Sequence, residues 1–471
     1  MLLSLLILLP LIAGAGLTFI KHNRSLGFVG TAVSIYCLVY TLFLLFTNTP
    51  VDLTVAYPWF KLGDTQANIA LSLTGLGAAM VLLTTLVYTL LFAYFYTIKK
   101  NYKNSFYGLL LIAFGGLNGV FLAQDLVLFY FFWEIVLIPI YFLIGIWGSG
   151  KTKIAANTTF FLYTILGSML MLGGIIYIGF YLRPTSFLLT DVVKVTSSFG
   201  NLQTLAWLFL IAFAIKIPLF PLHSWQPAVY KTSSTPVTVI LSALMAKMGL
   251  FAVVNWLLNM FPSICPNTDN LLYIVGFGLF YASLIALTTK NVKKIVAYSS
   301  IAHLALIFMS LYAQSEMGTK GAYFQMFSHG IVVLGLWLSV DYMQRKYKLT
   351  DIKSISGIAS IDPCIAIFFT FFGLANVALP LTSSFIGEFM MLNALYTYNP
   401  ILCVIGCTGV ILSAAYTLRL STALLFGERS GSVSKKKQKF PKTLYLIFGV
   451  ISVIILVLGI YPSVLFNLFQ N

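Results

Sequence analysis

Residues 216–230 read KIPLFPLHSWQPAVY, and they close an apolar run that starts near Leu205 with no charge before Lys216. A run of this length and apolarity spans a bilayer, where an open backbone finds no hydrogen-bonding solvent, so the segment is read as a transmembrane helix. Pro218 and Pro221 each remove a backbone donor and crowd the preceding turn. The helix is therefore expected to be broken, with an amine at the edge of the break.

The rest of the chain repeats the first half of this pattern. Hydrophobic residues make up 59% of the 471 and charged residues 8%, with a mean hydropathy of +0.95, so lipid is the expected solvent for most of the chain. An outer-membrane barrel would alternate apolar and polar residues instead. Fourteen spans are expected, at 1–20, 26–46, 72–98, 106–123, 125–147, 154–182, 203–229, 237–261, 271–288, 294–313, 321–343, 364–398, 401–426 and 441–467. The fold class is thus all-α, a polytopic membrane protein. The N-terminal run has no basic region ahead of it and another apolar run close behind, and is read as the first span. Span 364–398 is too long to cross upright, and Ala378-Leu379-Pro380 marks a second break.

The net charge of +16 is spread over short loops and forms no basic domain of the kind that binds nucleic acid. Counting Lys294 and Lys442, at the very starts of their spans, with the preceding loops, Lys and Arg number 21 in loops 1–2, 3–4, 5–6, 7–8, 9–10, 11–12 and 13–14, against 4 in the others. By the positive-inside rule the odd loops are cytoplasmic and both termini lie on the opposite, periplasmic face. The five cysteines, Cys37, Cys265, Cys364, Cys403 and Cys407, contain no CxxC pair, and only the last two share a helical face. Neither a disulfide framework nor an iron–sulfur site is indicated.

Spans four to eight and nine to thirteen form two sets of five, each with its fourth member broken by proline. An odd number of helices per set inverts the second copy in the membrane, as in transporters whose sites lie at broken helices. The expected organisation is residues 1–105 for the first three helices, 106–261 and 262–426 for two inverted repeats, and 427–471 for a basic loop and the last helix.

An ionisable group at bilayer depth costs about 2.5–3.5 kcal/mol on insertion scales, so each one needs a reason. Glu134 stands alone in FFWEIVLIPIYFLIGIW (131–147); the bland alternative is a structural ion pair. Lys216 stands at the break, where freed carbonyls can hold an ammonium. Lys247, in LSALMAKMGLFAVV (241–254), is about 15 Å along its helix, too deep for simple snorkelling. His303 (SSIAHLALIF, 299–308) and His329 (YFQMFSHGIVVLG, 323–335) fall mid-span on successive helices. A single buried histidine is ordinarily a packing residue, and two in succession favour a relay over that reading or over haem ligation. Glu388 (SSFIGEFMMLNAL, 383–395) follows the second break as Lys216 precedes the first. Asp341 and Arg419 are placed nearer helix ends, at the interface, and His223 either lines an entrance or caps exposed backbone.

These charges, with FFWEIVLIPIYFLI, KIPLFPLHSWQPAVY, LMAKMGLF, NVKKIVAYSSIAHL, GAYFQMFSHG and FIGEFMML, give the chain a specific likeness over about 125–395. It resembles the antiporter-like membrane subunits of respiratory complex I, NADH-quinone oxidoreductase, whose fold is shared with Mrp cation/proton antiporters. The M type, chain 4 in mitochondria, is favoured because that type carries a glutamate on the twelfth helix where the L and N types and the antiporters carry lysine. The short stretch after Lys439 agrees, since the L type adds a long lateral helix.

The resemblance implies a proton-translocating subunit of the bacterial inner membrane with L-type and N-type subunits as neighbours. Glu134, Lys216, Lys247, His303, His329 and Glu388 would form the path. FMN, iron–sulfur clusters and quinone would belong to other subunits, with no cofactor and no metal in this chain. In one place the sequence departs from the family: after Trp225 the usual Leu-Pro-Asp-Ala-His is Gln226-Pro227-Ala228-Val229-Tyr230, without the acid and the second histidine.

Overall fold

Apolar runs without polar backbone partners close their hydrogen bonds internally, and helices result throughout. The computed structural model describes residues 3–20, 27–47, 56–73, 75–98, 102–199, 202–262, 268–427 and 440–470. Cys265, the basic stretches at 21–26 and 99–101, and most of the basic loop at 428–439 lie outside the described residues.

The first helices are α1 (Leu5–Phe19), α2 (Gly27–Phe46), α3 (Gly75–Thr97), α4 (Asn104–Leu122), α5 (Leu126–Trp147) and α6 (Lys153–Tyr177), the last continued by a π turn to Leu182. Next come α7 (Leu189–Ser198), α8 (Gln203–Lys216), α9 (Trp225–Thr232), α10 (Thr235–Val239) and α11 (Ala246–Ala252). Wide π turns at Ile240–Met245 and Val253–Leu258 flank α11. The remainder are α12 (Thr268–Thr288), α13 (Val292–Tyr312), α14 (Glu316–Tyr347), α15 (Ile358–Ile361), α16 (Pro363–Asn376), α17 (Ser383–Tyr398), α18 (Pro400–Leu425), α19 (Lys442–Ile460) and α20 (Ser463–Gln470).

Among the described residues, 11 helices are long and apolar enough to cross a membrane. The expected spans at 1–20, 203–229 and 364–398 fall on shorter apolar helices. Both expected breaks are present: α8 ends at Lys216 and α9 starts at Trp225, and α16 ends at Asn376 before α17 starts at Ser383. The last span is shorter than expected, because Tyr461-Pro462 separates α19 from α20.

Two elements escape the hydropathy pattern. Strands β1 (Tyr57–Leu62) and β2 (Thr65–Ile69) pair antiparallel across Gly63-Asp64, with Gly63 at φ +64°, a conformation glycine adopts without steric cost. The amphipathic helix α7 lies in the loop between α6 and α8.

The chain divides into two compact units. Unit 1 comprises Met1–Ile217 and Leu244–Thr268, with the last two residues; unit 2 comprises Pro218–Ala243 and Asp269–Phe469. In unit 1, α1 lies directly on α4: a Cβ added at Gly14 would come 2.7 Å from the Gly108 oxygen, and one at Gly108 would come 2.6 Å from the Gly14 oxygen. Such glycine seams let helices pack by close backbone approach where lipid supplies no hydrophobic drive. The hairpin is pinned within the same unit by Asp125, whose Oδ2 accepts from the Asn68 amide at 2.8 Å while Oδ1 caps α5 through Val127 and Leu128. In unit 2, α14 is buried along most of its length and packs against α13, α16 and α17. Each unit turns large apolar side chains outward, Ile12, Phe43, Leu162 and Met169 in unit 1 and Ile367, Val404, Ile411 and Leu446 in unit 2, as a lipid-facing surface requires.

Candidate proton-transfer site

In unit 1 the break after α8 leaves Lys216 as the final helical residue, 2% exposed. Its Nζ makes no hydrogen bond and stands 4.8 Å from the centre of the Trp133 ring on α5. The cation is thus held against an aromatic face, a contact whose strength rises as water is excluded. Glu134 follows Trp133, with a buried Oε1 that accepts no hydrogen bond. The two charges form no ion pair within 4.0 Å, so the pair expected from sequence is open in this structure. Lys247 is fully buried on α11, between the two π turns, where a widened backbone gives side chains room. Gly249, two residues on, sits against the Phe213 oxygen and Ile217, fixing α11 beside the end of α8.

In unit 2 three predicted residues come together. The His303 Nδ1 on α13 lies 3.0 Å from Glu388 Oε1 on α17, with the side chains 6% and 3% exposed. The His329 ring on α14 is centred 5.5 Å from that of His303. Gln325, which sequence reasoning missed, donates from Nε2 to the same Glu388 oxygen at 3.2 Å. Its signal was its place on α14, one turn before His329 and on the same face. Gly387 makes the approach possible, since a Cβ there would fall 2.6 Å from Gln325 Oε1. Glu388 Oε2 and His303 Nε2 are buried without hydrogen bonds, so the pair keeps an acceptor on each side. A proton taken at Nε2 gives an imidazolium already bound to its carboxylate, charge-balanced without water at that oxygen.

The second break is lined with hydroxyls. Ser328 shares hydrogen bonds with Ser383 at 2.6 Å and Ser384 at 3.2 Å. Asn376 and Tyr416 both donate to Ser299 Oγ, at 3.0 and 2.9 Å.

The charges expected at interfaces are less exposed than that reading implies. Asp341 is 3% exposed and bound by Arg345, and Arg419 donates to the carbonyls of Leu287 and Thr289. Lys293, counted from sequence as a loop residue, is the second residue of α13 and 8% exposed. His223 is buried against Phe220 and Tyr281, with no hydrogen bond at Nδ1. Cys403 and Cys407 do face each other, sulfurs 4.0 Å apart, and are free thiols.

Residues 123–413 match the family model described as NADH:quinone oxidoreductase/Mrp antiporter, TM. The chain belongs to this family. A subunit M of NADH-quinone oxidoreductase from Rhodobacter capsulatus is 33% identical over 99% of this chain and 94% of its own length. A chain of respiratory complex I from Thermus thermophilus, solved with bound NADH, superposes with a TM-score of 0.88 at 26% identity, covering 100% of this chain and 98% of that one. A chain of the Mrp complex from Dietzia shares the fold, with a TM-score of 0.85 at 20% identity over 99% of this chain and 95% of its own. The expected likeness to the M type is borne out by these relatives, as is the membrane-spanning helical fold.

Proposed function

We propose that the chain is a proton-translocating membrane subunit of a respiratory NADH:quinone oxidoreductase, and that protons pass by way of Glu134, Lys216, Lys247, His303, His329 and Glu388. The observation that carries this reading is the buried His303–Glu388 pair with His329 and Gln325 around it. It is a site built to hold a proton, placed beside a broken helix in a chain of this family.

In unit 1, Lys216 moves between the Trp133 face and Glu134. With the pair open the ammonium gives up its proton more readily; with the pair closed it keeps it. Moving one charge against 100 mV takes about 2.3 kcal/mol. A hundredfold change in proton affinity supplies about 2.7 kcal/mol, so one opening and closing is of sufficient size. Lys247 hands the proton on through ordered water, the histidines receive it, and Glu388 releases it. Electron transfer takes place in other subunits, which hold the FMN, the iron–sulfur clusters and the quinone, and L-type and N-type subunits flank this one. The cell membrane is its location, with both termini on the periplasmic side and fourteen crossings arranged around two inverted repeats, 106–261 and 262–426.

Replacing Glu388 with Gln keeps the size and the bond to Gln325 while removing the ionisable group. The assembled complex should still oxidise NADH but pump fewer protons per NADH in proteoliposomes; a wild-type ratio would overturn the assignment.

A further inference from the structure

We propose that unit 2 carries its own proton-uptake route, starting at Lys293 and Asp341 and following buried hydroxyls along α13 to His303. The inference rests on the functional reading above and adds the residues through which a proton reaches its receiving pair.

Lys293, Ser300 and His303 are spaced seven and three residues apart, so they fall on one stripe of α13. From Lys293 to His303 the rise is about 15 Å, half the thickness of a bilayer core. Lys293 stands at the end of α13 from which the basic 9–10 loop leads, and its Nζ donates to the Ser233 carbonyl at the end of α9 at 3.0 Å. The charged groups facing it are Asp341 and Arg345 of α14, joined to each other one turn apart. Where the family has an acid after Trp225 this chain has Ala228, and Asp341 places a buried carboxylate beside the lysine from another helix.

Between the two ends lies a concentration of unanswered polar atoms. The Ser233 and Ser234 hydroxyls are buried without hydrogen bonds, and close by in sequence the Tyr230 hydroxyl and the Gln226 amide are buried against one another. Tyr230 lies beside Gln226 and Ser242, and Ser242 meets Ser300 with their oxygens 3.4 Å apart. One turn before His303 on the same helix, Ser299 gathers Asn376 and Tyr416. A buried polar atom left dry costs about 1–3 kcal/mol, and two adjacent hydroxyls, Ser233 and Ser234, stand so at the head of this row. Water that bridges them removes the cost and joins the hydroxyls into a conducting row.

The step balances without an oxidant or reductant. Lys293 releases one proton to the first oxygen of the row, each oxygen accepts one proton and passes on another, and His303 Nε2 receives one. Bulk water on the side of the basic loops restores the proton on Lys293.

The test compares Lys293→Arg, Tyr230→Phe and Ser300→Ala in the intact complex in proteoliposomes, with Glu388→Gln as reference. Arginine keeps the charge and the bond to Ser233 but does not release a proton. All three variants should assemble and slow proton uptake, by about tenfold or more for Lys293→Arg. Rescue by arginine together with wild-type pumping in the other two, against an impaired Glu388→Gln, would overturn this route and leave the parent reading standing. Unimpaired Glu388→Gln would overturn both. Should Lys293→Arg fail to assemble, wild-type pumping in Tyr230→Phe and Ser300→Ala overturns the route by itself.

Discussion

At the residue scale, what separates Lys216 from an ordinary buried cation is that it has a resting place without a hydrogen bond. Its amine lies on the Trp133 ring, while its expected partner Glu134, the next residue of α5, keeps a buried oxygen without a hydrogen bond. Lys216→Arg preserves the positive charge and strengthens stacking on the indole, yet holds its proton at any working pH. The complex should assemble at wild-type levels and lose most of its pumping; retained pumping would make the charge structural. The charged members of the proposed path were legible in the sequence because a charge in hydrocarbon is costly and stands out against apolar neighbours. Gln325 was not, because an uncharged amide carries no such cost. Lys293 was misplaced for a related reason: two residues into α13, it is indistinguishable in sequence from a loop lysine, and what buries it is tertiary packing, which sets Ser233 and Asp341 beside it.

At the scale of elements, both breaks follow from prolines read directly off the chain, but their surroundings do not. After α16 the backbone enters the left-handed region at Ala378 (φ 57°) and Leu381 (φ 73°), costly for residues with side chains and sustained by neighbours packed on the turn. Helix α19 supplies one of them: a Cβ at Gly459 would fall 2.2 Å from the Leu381 oxygen. Gly459→Ala should therefore displace the break and destabilise unit 2 by about 1–3 kcal/mol, measured as a lower unfolding midpoint in detergent; an unchanged midpoint would show that the break is not held by α19.

The hairpin went unread because its strands are short and its Gly63-Asp64 turn is a weak signal beside long apolar runs. Its anchor, Asp125, lies just outside α5, and burial pushes its carboxyl up to about 6, against the opposing pull of its backbone hydrogen bonds. A carboxyl raised on folding binds its proton more tightly in the folded state. Its contribution is present below the unfolded value, near 3.8, and is lost as pH rises through about 6. Hydrogen exchange at the Asn68 amide should accelerate between about pH 5 and 7, and Asp125→Asn should abolish the step; a pH-independent profile in the wild type, after correction for intrinsic exchange, would refute the assignment.

At the scale of the whole molecule, hydropathy carried the membrane-spanning helices, and the resemblance carried the family. What neither could supply was which polar groups meet. In unit 2 Glu388, His303 and Gln325 are brought together from three helices, far apart in sequence and joined only by packing. Unit 1 holds Lys216 and Lys247, both buried, with Lys247 between π turns that no propensity scale announces. The central claim is that Lys247 carries the proton rather than filling space. Lys247→Met keeps the length and apolar stem while removing the amine, and the direct measurement is the number of protons translocated per NADH oxidised by the assembled complex in sealed proteoliposomes. A ratio well below wild type, with normal assembly, is the predicted result; an unchanged ratio would contradict the account.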